Sequence, residues 1–143
     1  MIEVVNYKAE HLDQIVEQKA TAYLRAYITP DHMRELEKSK MSYTGIVNGR
    51  VVFCAGVIEY WPGRGEAWTF IDGDCKKEFY AIHKIVKRFL EVCPVKRVEA
   101  TVDVGFEQGH RWVKNLGFKL EAPVMKSYMP GGGDSSLYAK VRD

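Results

Sequence analysis

The sequence has few of the residues that build metal sites and disulfide frameworks. Its 143 residues include three cysteines and four histidines, and they contain neither a CxxC pair nor a histidine pair at metal-ligand spacing. A structural zinc site needs four clustered ligands, so we expect no metal ion. An odd, sparse cysteine count fits a reducing compartment, in which thiols stay free.

Long apolar runs are also missing. A membrane-spanning helix needs roughly 18 or more apolar residues, and no stretch of this chain approaches that length. The first residues, from Met1 to Lys8, lack the basic flank and apolar core of a signal peptide. We therefore expect a cytoplasmic protein that does not contact a membrane.

Neither sign of charge dominates. Lysine plus arginine number 21 and aspartate plus glutamate 19, a net charge of +2 with histidine neutral. This balance argues against a globally basic nucleic-acid binder and an acidic tail, so nucleic acid is not an expected partner. The charge is uneven, however, because residues 75–100 hold seven basic and three acidic side chains. That segment leaves nucleic-acid attachment open as an alternative.

What the sequence does contain is enough apolar residues for a core, with 46% hydrophobic and 12% aromatic content. The length fits a single domain over residues 1–143. Apolar periodicity and turn residues predict eleven elements. They are a strand at 2–7, a helix from 10 to about 27, a helix at 30–39, strands at 43–47, 50–61 and 66–71, a helix at 79–93, a strand at 97–103, a helix at 106–116, extended chain at 118–128 and a strand at 137–141.

Capping and turn residues sharpen several of these boundaries. Thr29 is placed to cap the second helix, which we expect to lie on the surface because its apolar residues are few. Asn48-Gly49 predicts a tight hairpin, since both residues tolerate positive φ. Asp74 is a candidate cap for the third helix, and Gly117 is placed to end the fourth.

The most specific local motif is Arg111-Trp112-Val113-Lys114-Asn115-Leu116-Gly117-Phe118. It resembles the last-helix signature of the GNAT superfamily of acyl-CoA-dependent N-acyltransferases. The glycine allows a tight turn, and the phenylalanine enters the next strand facing the core. The order strand, two helices, three strands, helix, strand, helix, two strands resembles that superfamily over essentially the whole chain. The resemblance implies an α+β fold, order β-α-α-β-β-β-α-β-α-β-β around a mixed central sheet.

A narrower resemblance is to short GNAT-like proteins of tailed phages, including internal virion proteins of podoviruses. It is carried by Trp68-Thr69-Phe70-Ile71, Lys76-Lys77-Glu78-Phe79, the motif above and Tyr128-Met129-Pro130-Gly131-Gly132. It implies a phage-encoded protein, located in the host cytoplasm or the virion.

The GNAT resemblance also implies a site for acetyl-CoA. The pantetheine arm would lie along the strand at 66–71, nearest Phe70 and Ile71. The following turn would receive the pyrophosphate through Gly73, Lys76 and Lys77, because free N–H groups at a helix start favour anions. That turn, Asp72-Gly73-Asp74-Cys75-Lys76-Lys77, departs from the glycine-rich pattern of active members. A capped helix with solvated lysines is the alternative reading of it.

The catalytic candidates are Glu59, Glu66 and Tyr128. A carboxylate near the central strands can take the proton of an amine, so Glu59 and Glu66 are candidate bases, with Asp72 also nearby. Many members carry a tyrosine five residues before the phenylalanine to protonate the leaving thiolate. Val113 stands there, so Tyr128 is the candidate acid. For each residue the alternative is a solvated strand-end charge or a packing phenol.

Two functions follow from the resemblance. One is an acetyl-CoA-dependent N-acyltransferase that acts on an amine of a small molecule or a protein, including a host protein. The other is a catalytically degenerate GNAT-fold phage protein that serves as a virion-associated or host-protein-binding module, which the unusual turn and Val113 would explain. The final hairpin exposes an edge through which a homodimer could form.

Overall fold

The computed structural model describes residues 1–16, 18, 22–24 and 27–143. Within them the chain forms seven strands and four α-helices. These are β1 (Glu3–Asn6), α1 (Ala9–Leu12), α2 (Pro30–Lys38), β2 (Ser42–Val47), β3 (Arg50–Trp61), β4 (Arg64–Ile71), α3 (Phe79–Val92), β5 (Arg97–Asp103), α4 (Glu107–Asn115), β6 (Lys119–Met125) and β7 (Ser135–Val141). Short 3₁₀ turns occupy Lys76–Glu78 and Pro130–Gly132.

The strands form one mixed sheet in the order β1-β2-β3-β4-β5-β7-β6. Pairing is parallel between β4 and β5 and antiparallel for β1–β2, β2–β3, β5–β7 and β6–β7. The predicted α+β class and the predicted order of elements are therefore confirmed.

The chain divides into two compact units, and the first comprises Met1–Ile58 and Trp68–Glu91. Its apolar cluster consists of buried side chains from α1, α2, β3 and the residue that follows β1: Tyr7, Leu12, Met33, Leu36, Val51 and Cys54. Trp68 and Phe70 of β4 pack against this cluster, and the Tyr7 and Trp68 rings meet edge to face at 5.3 Å. Alternate residues of β4 thus supply the apolar surface that α1 and α2 cover.

The second unit comprises Glu59–Ala67 and Val92–Asp143. Gly109 lets α4 approach β5 closely, because a Cβ there would lie 2.8 Å from Val102 Cγ1. His110 also joins α4 to the sheet: its Nδ1 lies 2.7 Å from the hydroxyl oxygen of Tyr138. Its Nε2 faces the carbonyl oxygens of Asp103 and Val104 at 3.0 and 2.9 Å, so Nε2 carries a proton and donates to them.

Several local predictions are confirmed. Thr29 Oγ1 accepts the backbone N–H of His32 and caps α2. Asn48 and Gly49 form the hairpin turn with φ of 49° and 80°. Gly117 adopts a φ of 100° directly after α4. The three cysteines, Cys54, Cys75 and Cys93, are free thiols and are buried.

Of the predictions for the first two helices, one is wrong and one is confirmed. The first helix ends at Leu12, since Gln14 and Ile15 return three-residue hydrogen bonds to His11 and Leu12. Its predicted continuation past Val16 falls partly on residues outside the described ones. The surface position predicted for the second helix is confirmed: its residues are exposed apart from Met33 and Leu36, which are buried in the first unit.

Two predicted boundaries differ from the structure: the start of the third helical stretch and the end of β6. Asp74 does not cap the third helix: the helical stretch starts after Cys75, and no side chain caps it. β6 ends at Met125, three residues earlier than predicted, because the chain turns at Ser127 with a φ of 53°.

Candidate active site

The β3–β4 hairpin brings a tyrosine and a glutamate into direct contact in the second unit. The Tyr60 hydroxyl donates to Glu66 Oε1 at 2.7 Å. Burial and this hydrogen bond to the carboxylate raise the pKa of Tyr60 to about 12, so the phenol stays protonated at neutral pH. Glu66 therefore accepts a hydrogen bond that orients its carboxylate.

The guanidinium of Arg64 packs against the aromatic rings of this hairpin. Its guanidinium carbon is 5.1 Å from the ring centre of Tyr60 and 4.8 Å from that of Trp61. The same guanidinium donates Nε–H and Nη2–H to the two carboxylate oxygens of Glu99, at 2.9 and 2.8 Å. A planar fork on a carboxylate fixes both partners in orientation, so Arg64 holds the hairpin aromatics in place.

Glu99 is the buried centre of an ionic ladder. It also accepts from Arg97 Nε at 2.7 Å, and Arg97 in turn donates from Nη1 to Glu121 at 3.0 Å. The hydrogen bond from Arg64, followed by that from Arg97, lowers the pKa of Glu99 to about 2 although its burial opposes this. Glu99 is thus an anion at any physiological pH.

Sheet register explains why these charges share one face. β4 and β5 pair in parallel, with Arg64 opposite Arg97 and Glu66 opposite Glu99. Paired residues of neighbouring strands point to the same side, and side chains two apart do as well. The four side chains therefore form a charged patch on one face of the second unit.

Tyr128 comes to this patch from the loop between β6 and β7. The loop is braced by its own hydrogen bonds, from Ser127 N to Asp134 Oδ1 at 2.9 Å and from Met129 N to the Gly133 carbonyl at 2.9 Å. Burial raises the pKa of Tyr128, and the charges of Glu66 and Glu99 raise it further. Tyr128 is therefore within electrostatic range of both carboxylates and half exposed, at 50%.

Glu59 has a different local role. Its Oε2 accepts the backbone N–H of Gly63 at 3.2 Å, so it stabilises the hairpin turn. Of the three catalytic candidates, Glu66 and Tyr128 lie close enough together for the charge of Glu66 to raise the pKa of Tyr128. Glu59 belongs to the same unit but is hydrogen-bonded to the turn.

The residues predicted to bind the cofactor lie in the first unit. Phe70 is partly buried against the apolar cluster, and Ile71 is 9% exposed. Lys76 and Lys77 are exposed at the 3₁₀ turn that leads into α3. The Gly73 amide donates to the Val16 carbonyl oxygen at 2.8 Å. The lysines therefore face solvent, whereas the glycine amide has a partner within the protein.

Sequence reasoning missed Tyr60 and the ladder of Arg64, Glu99, Arg97 and Glu121. A signal was present: Arg-Gly-Glu at 64–66 and Arg-Val-Glu at 97–99 place opposite charges two apart in strands. That spacing puts both charges on one face, but only the β4–β5 register shows that the two pairs are neighbours. Val113, at the position of the usual tyrosine, is buried and has no proton to donate.

No three metal-ligating side chains cluster among the residues that the structure describes. Nor does any helix in the described ranges have the length and hydropathy needed to cross a membrane.

Comparison with known proteins rests on structure. No protein-family model matches the chain, and no curated protein matches it by sequence. Ard1 from Thermoplasma volcanium superposes with a TM-score of 0.80 at 15% identity, covering 98% of this chain and 97% of that one. This chain has the GNAT fold.

Two further solved structures agree. A GNAT-family acetyltransferase from Bacillus anthracis matches with a TM-score of 0.65 at 16% identity, covering 98% of this chain and 94% of that one. An N-acetyltransferase from Staphylococcus aureus Mu50 matches with a TM-score of 0.70 at 14% identity over 99% and 98%. At such identities the likeness establishes the GNAT fold, and the chemistry has to be argued from this chain's own residues.

Proposed function

We propose that this protein is an N-acyltransferase that moves an acyl group, with acetyl-CoA as the donor, to an amine of a small molecule or a protein. The observation that carries the proposal is the oriented Glu66 carboxylate, held by Tyr60 at 2.7 Å and within electrostatic range of Tyr128. The GNAT fold of the chain supports the reaction class.

In this proposal Glu66 prepares the acceptor. An amine reaches the protein as an ammonium ion, and it becomes a nucleophile only after it loses a proton. Glu66 accepts that proton directly or through a water molecule. The buried Glu99 does not compete for it, because its two arginines keep it ionised and occupied.

The donor supplies an electrophilic thioester carbon and a thiolate leaving group. The neutral amine nitrogen forms the new C–N bond as the C–S bond breaks. The acylated nitrogen then loses its second proton to water, and the thiolate takes up a proton to leave as a thiol. Tyr128 is the proposed donor of that proton, since Val113 cannot provide one. Burial and the nearby carboxylates raise the pKa of Tyr128, so its hydroxyl carries a proton at neutral pH and is a weaker acid than a free phenol.

The proposed contacts with the acyl donor, acetyl-CoA, lie along β4. This strand runs on from Ala67 to Ile71 beyond its last residue pair with β5, that of Glu66 with Glu99. We place the pantetheine arm along this stretch, with Phe70 and Ile71 nearest to it and Lys76 and Lys77 at its phosphates.

The test is thiol release from acetyl-CoA with a panel of amines: a polyamine, free amino acids and peptides with a free N-terminus or a lysine. Glu66→Gln should lower kcat/KM about 100-fold or more, the usual contribution of a general base. Glu107→Gln, an exposed glutamate at the start of α4, is the matched control and should retain activity. Equal rates for the two variants would refute the role of Glu66.

The second candidate is a GNAT-fold binding module without catalysis, which the narrower sequence resemblance associates with phage virions. The engaged amide of Gly73 favours it, because an active cofactor loop would leave such groups open. A thermal melt separates the two. Acetyl-CoA at about 100 times its Kd should add roughly 2.7 kcal/mol to stability, whereas a binding module shows neither this shift nor turnover.

A further inference from the structure

The loop at residues 72–75, which precedes the 3₁₀ turn at Lys76–Glu78, has its backbone N–H groups hydrogen-bonded within the chain. The Gly73 amide donates to the Val16 carbonyl at 2.8 Å, and the Cys75 amide donates to the Asp72 carbonyl at 3.2 Å. The Asp74 amide donates to Asp72 Oδ1 at 3.1 Å. Anion binding at a helix start needs N–H groups that point outward at the ligand. Three consecutive amides here are directed to partners within the chain.

The side chain of Asp72 takes the place of an external anion. Its side chain is 1% exposed, and its Oδ2 accepts from Arg50 Nε at 3.1 Å and Arg50 Nη2 at 2.7 Å. Its Oδ1 accepts the Asp74 amide. A buried carboxylate with a two-point guanidinium partner and a backbone N–H has the hydrogen bonding that a phosphate oxygen would otherwise receive. The site is thus filled by the protein itself.

Displacement of Asp72 by a phosphate is disfavoured. Removal of the carboxylate would break the ion pair of the buried Asp72 with the half-exposed Arg50 and the hydrogen bond to the Asp74 amide. The like charge of Asp74, exposed next to it, would also repel a pyrophosphate. The remaining attraction comes from Lys76 and Lys77, which are exposed, and contacts of exposed lysines are weak and screened by salt.

We infer that loop 72–75 is closed: its N–H groups are hydrogen-bonded within the chain, and Asp72 occupies Arg50 and the Asp74 amide. We infer that the loop therefore does not bind the pyrophosphate of a nucleotide. The inference about donors rests on the proposed function: the acyl donors of this enzyme are acyl-pantetheine thioesters as a class, with or without the nucleotide. The pyrophosphate of CoA, which the glycine-rich turn of active members would hold, then contributes little to recognition.

The first test is direct and does not require activity. The amide signals of Gly73, Asp74 and Cys75 are followed by ¹H–¹⁵N NMR while inorganic pyrophosphate is added to millimolar concentration. We expect these three signals to stay in place. Saturable shifts of all three would show that the loop binds phosphate, and would overturn the inference.

The second test compares donors. With a closed loop, acetyl-CoA should exceed S-acetylpantetheine in kcat/KM by no more than about tenfold, the effect of two exposed ion pairs. This preference should shrink at high salt and in the Lys76→Ala/Lys77→Ala variant. A preference of 100-fold or more that survives high salt would overturn the inference. If neither donor is turned over, the proposed function fails, and the NMR titration still decides whether the loop is closed.

A variant checks the cause. Asp72→Ser removes the internal anion and frees Arg50 and the Asp74 amide. In this variant pyrophosphate should shift the Asp74 signal, whereas Glu107→Gln should respond like the unmodified protein. A folded Asp72→Ser variant without any response would refute Asp72 as the group that closes the loop. If this variant does not fold, the titration of the unmodified protein remains the deciding measurement.

Discussion

The guanidinium of Arg64 forms a two-point ion pair with the carboxylate of Glu99, 35 residues away along the chain. The same guanidinium lies over the ring of Tyr60, whose hydroxyl donates to Glu66. The pair therefore connects a buried charge of β5 with the orientation of the candidate base. Changes at Glu99 should affect both stability and the geometry of the hairpin.

Glu99 should make the protein sensitive to acid. Its pKa of about 2 in the folded protein lies below its ordinary value of 4.5, so the stability that it contributes is present above pH 4.5. That contribution is lost as the pH falls toward 2, and it amounts to about 2 kcal/mol after allowance for the partly exposed arginines. Urea unfolding from pH 6 to 2 should show a steeper loss for the unmodified protein than for Glu99→Gln. Parallel curves would contradict this role.

Tyr128 should matter for turnover. Tyr128→Phe removes the proposed proton donor and keeps the ring, so kcat should fall by about 100-fold, the lower end of general-acid catalysis. The matched control is Tyr80→Phe, because Tyr80 is 71% exposed on α3 in the first unit. Acetyl transfer rates and melting temperatures of both variants provide the check. An unchanged kcat for Tyr128→Phe would assign the proton to water.

Gly109 should not tolerate a methyl group. A Cβ at this position would lie 2.8 Å from Val102 Cγ1 and 2.6 Å from Phe106 Cδ2. Gly109→Ala should therefore cost about 1–3 kcal/mol through overpacking between α4 and β5. Gly105→Ala is the control, because no heavy atom lies within 4 Å of a Cβ placed there. Chemical denaturation of both variants measures the difference, and equal stabilities would contradict the close approach of α4.

The cap of α2 should be measurable on its own. Thr29→Ala removes the hydroxyl that accepts the His32 amide, and the loss should be about 1 kcal/mol. Thr29→Ser keeps the acceptor and should lose much less. If both substitutions cost the same in denaturation experiments, the methyl group of Thr29 rather than its hydroxyl is responsible.

The sequence was sufficient for the order of elements, because strong local signals marked them. Asn48-Gly49 set a hairpin, Thr29-Pro30 started a helix, and Gly117 ended another. The first helix was predicted too long for a physical reason: apolar residues at helical spacing also suit a chain that leaves the helix after Leu12, as this one does. A period of apolar residues does not distinguish those two cases.

The candidate site was harder to predict, since its contacts join residues far apart in sequence. Glu66 and Tyr128 could be named from the resemblance, but their shared neighbourhood depends on strand register and on the loop before β7. The contacts of Asp72 could not be predicted from the sequence for the same reason. Nothing local indicates that Arg50 lies beside it, or that the Val16 carbonyl takes the amide of Gly73.

The buried thiols have a practical consequence for every rate measurement suggested above. Burial raises the pKa of Cys54 to about 12 and that of Cys75 to about 11, and Cys93 is 2% exposed. Accessible thiolates attack disulfide reagents, so the folded protein, whose thiols are buried and protonated, should consume very little of such a reagent. The colour that develops in such an assay then counts the CoA or pantetheine released. A sudden rise without substrate would instead report that molecules in the cuvette have unfolded.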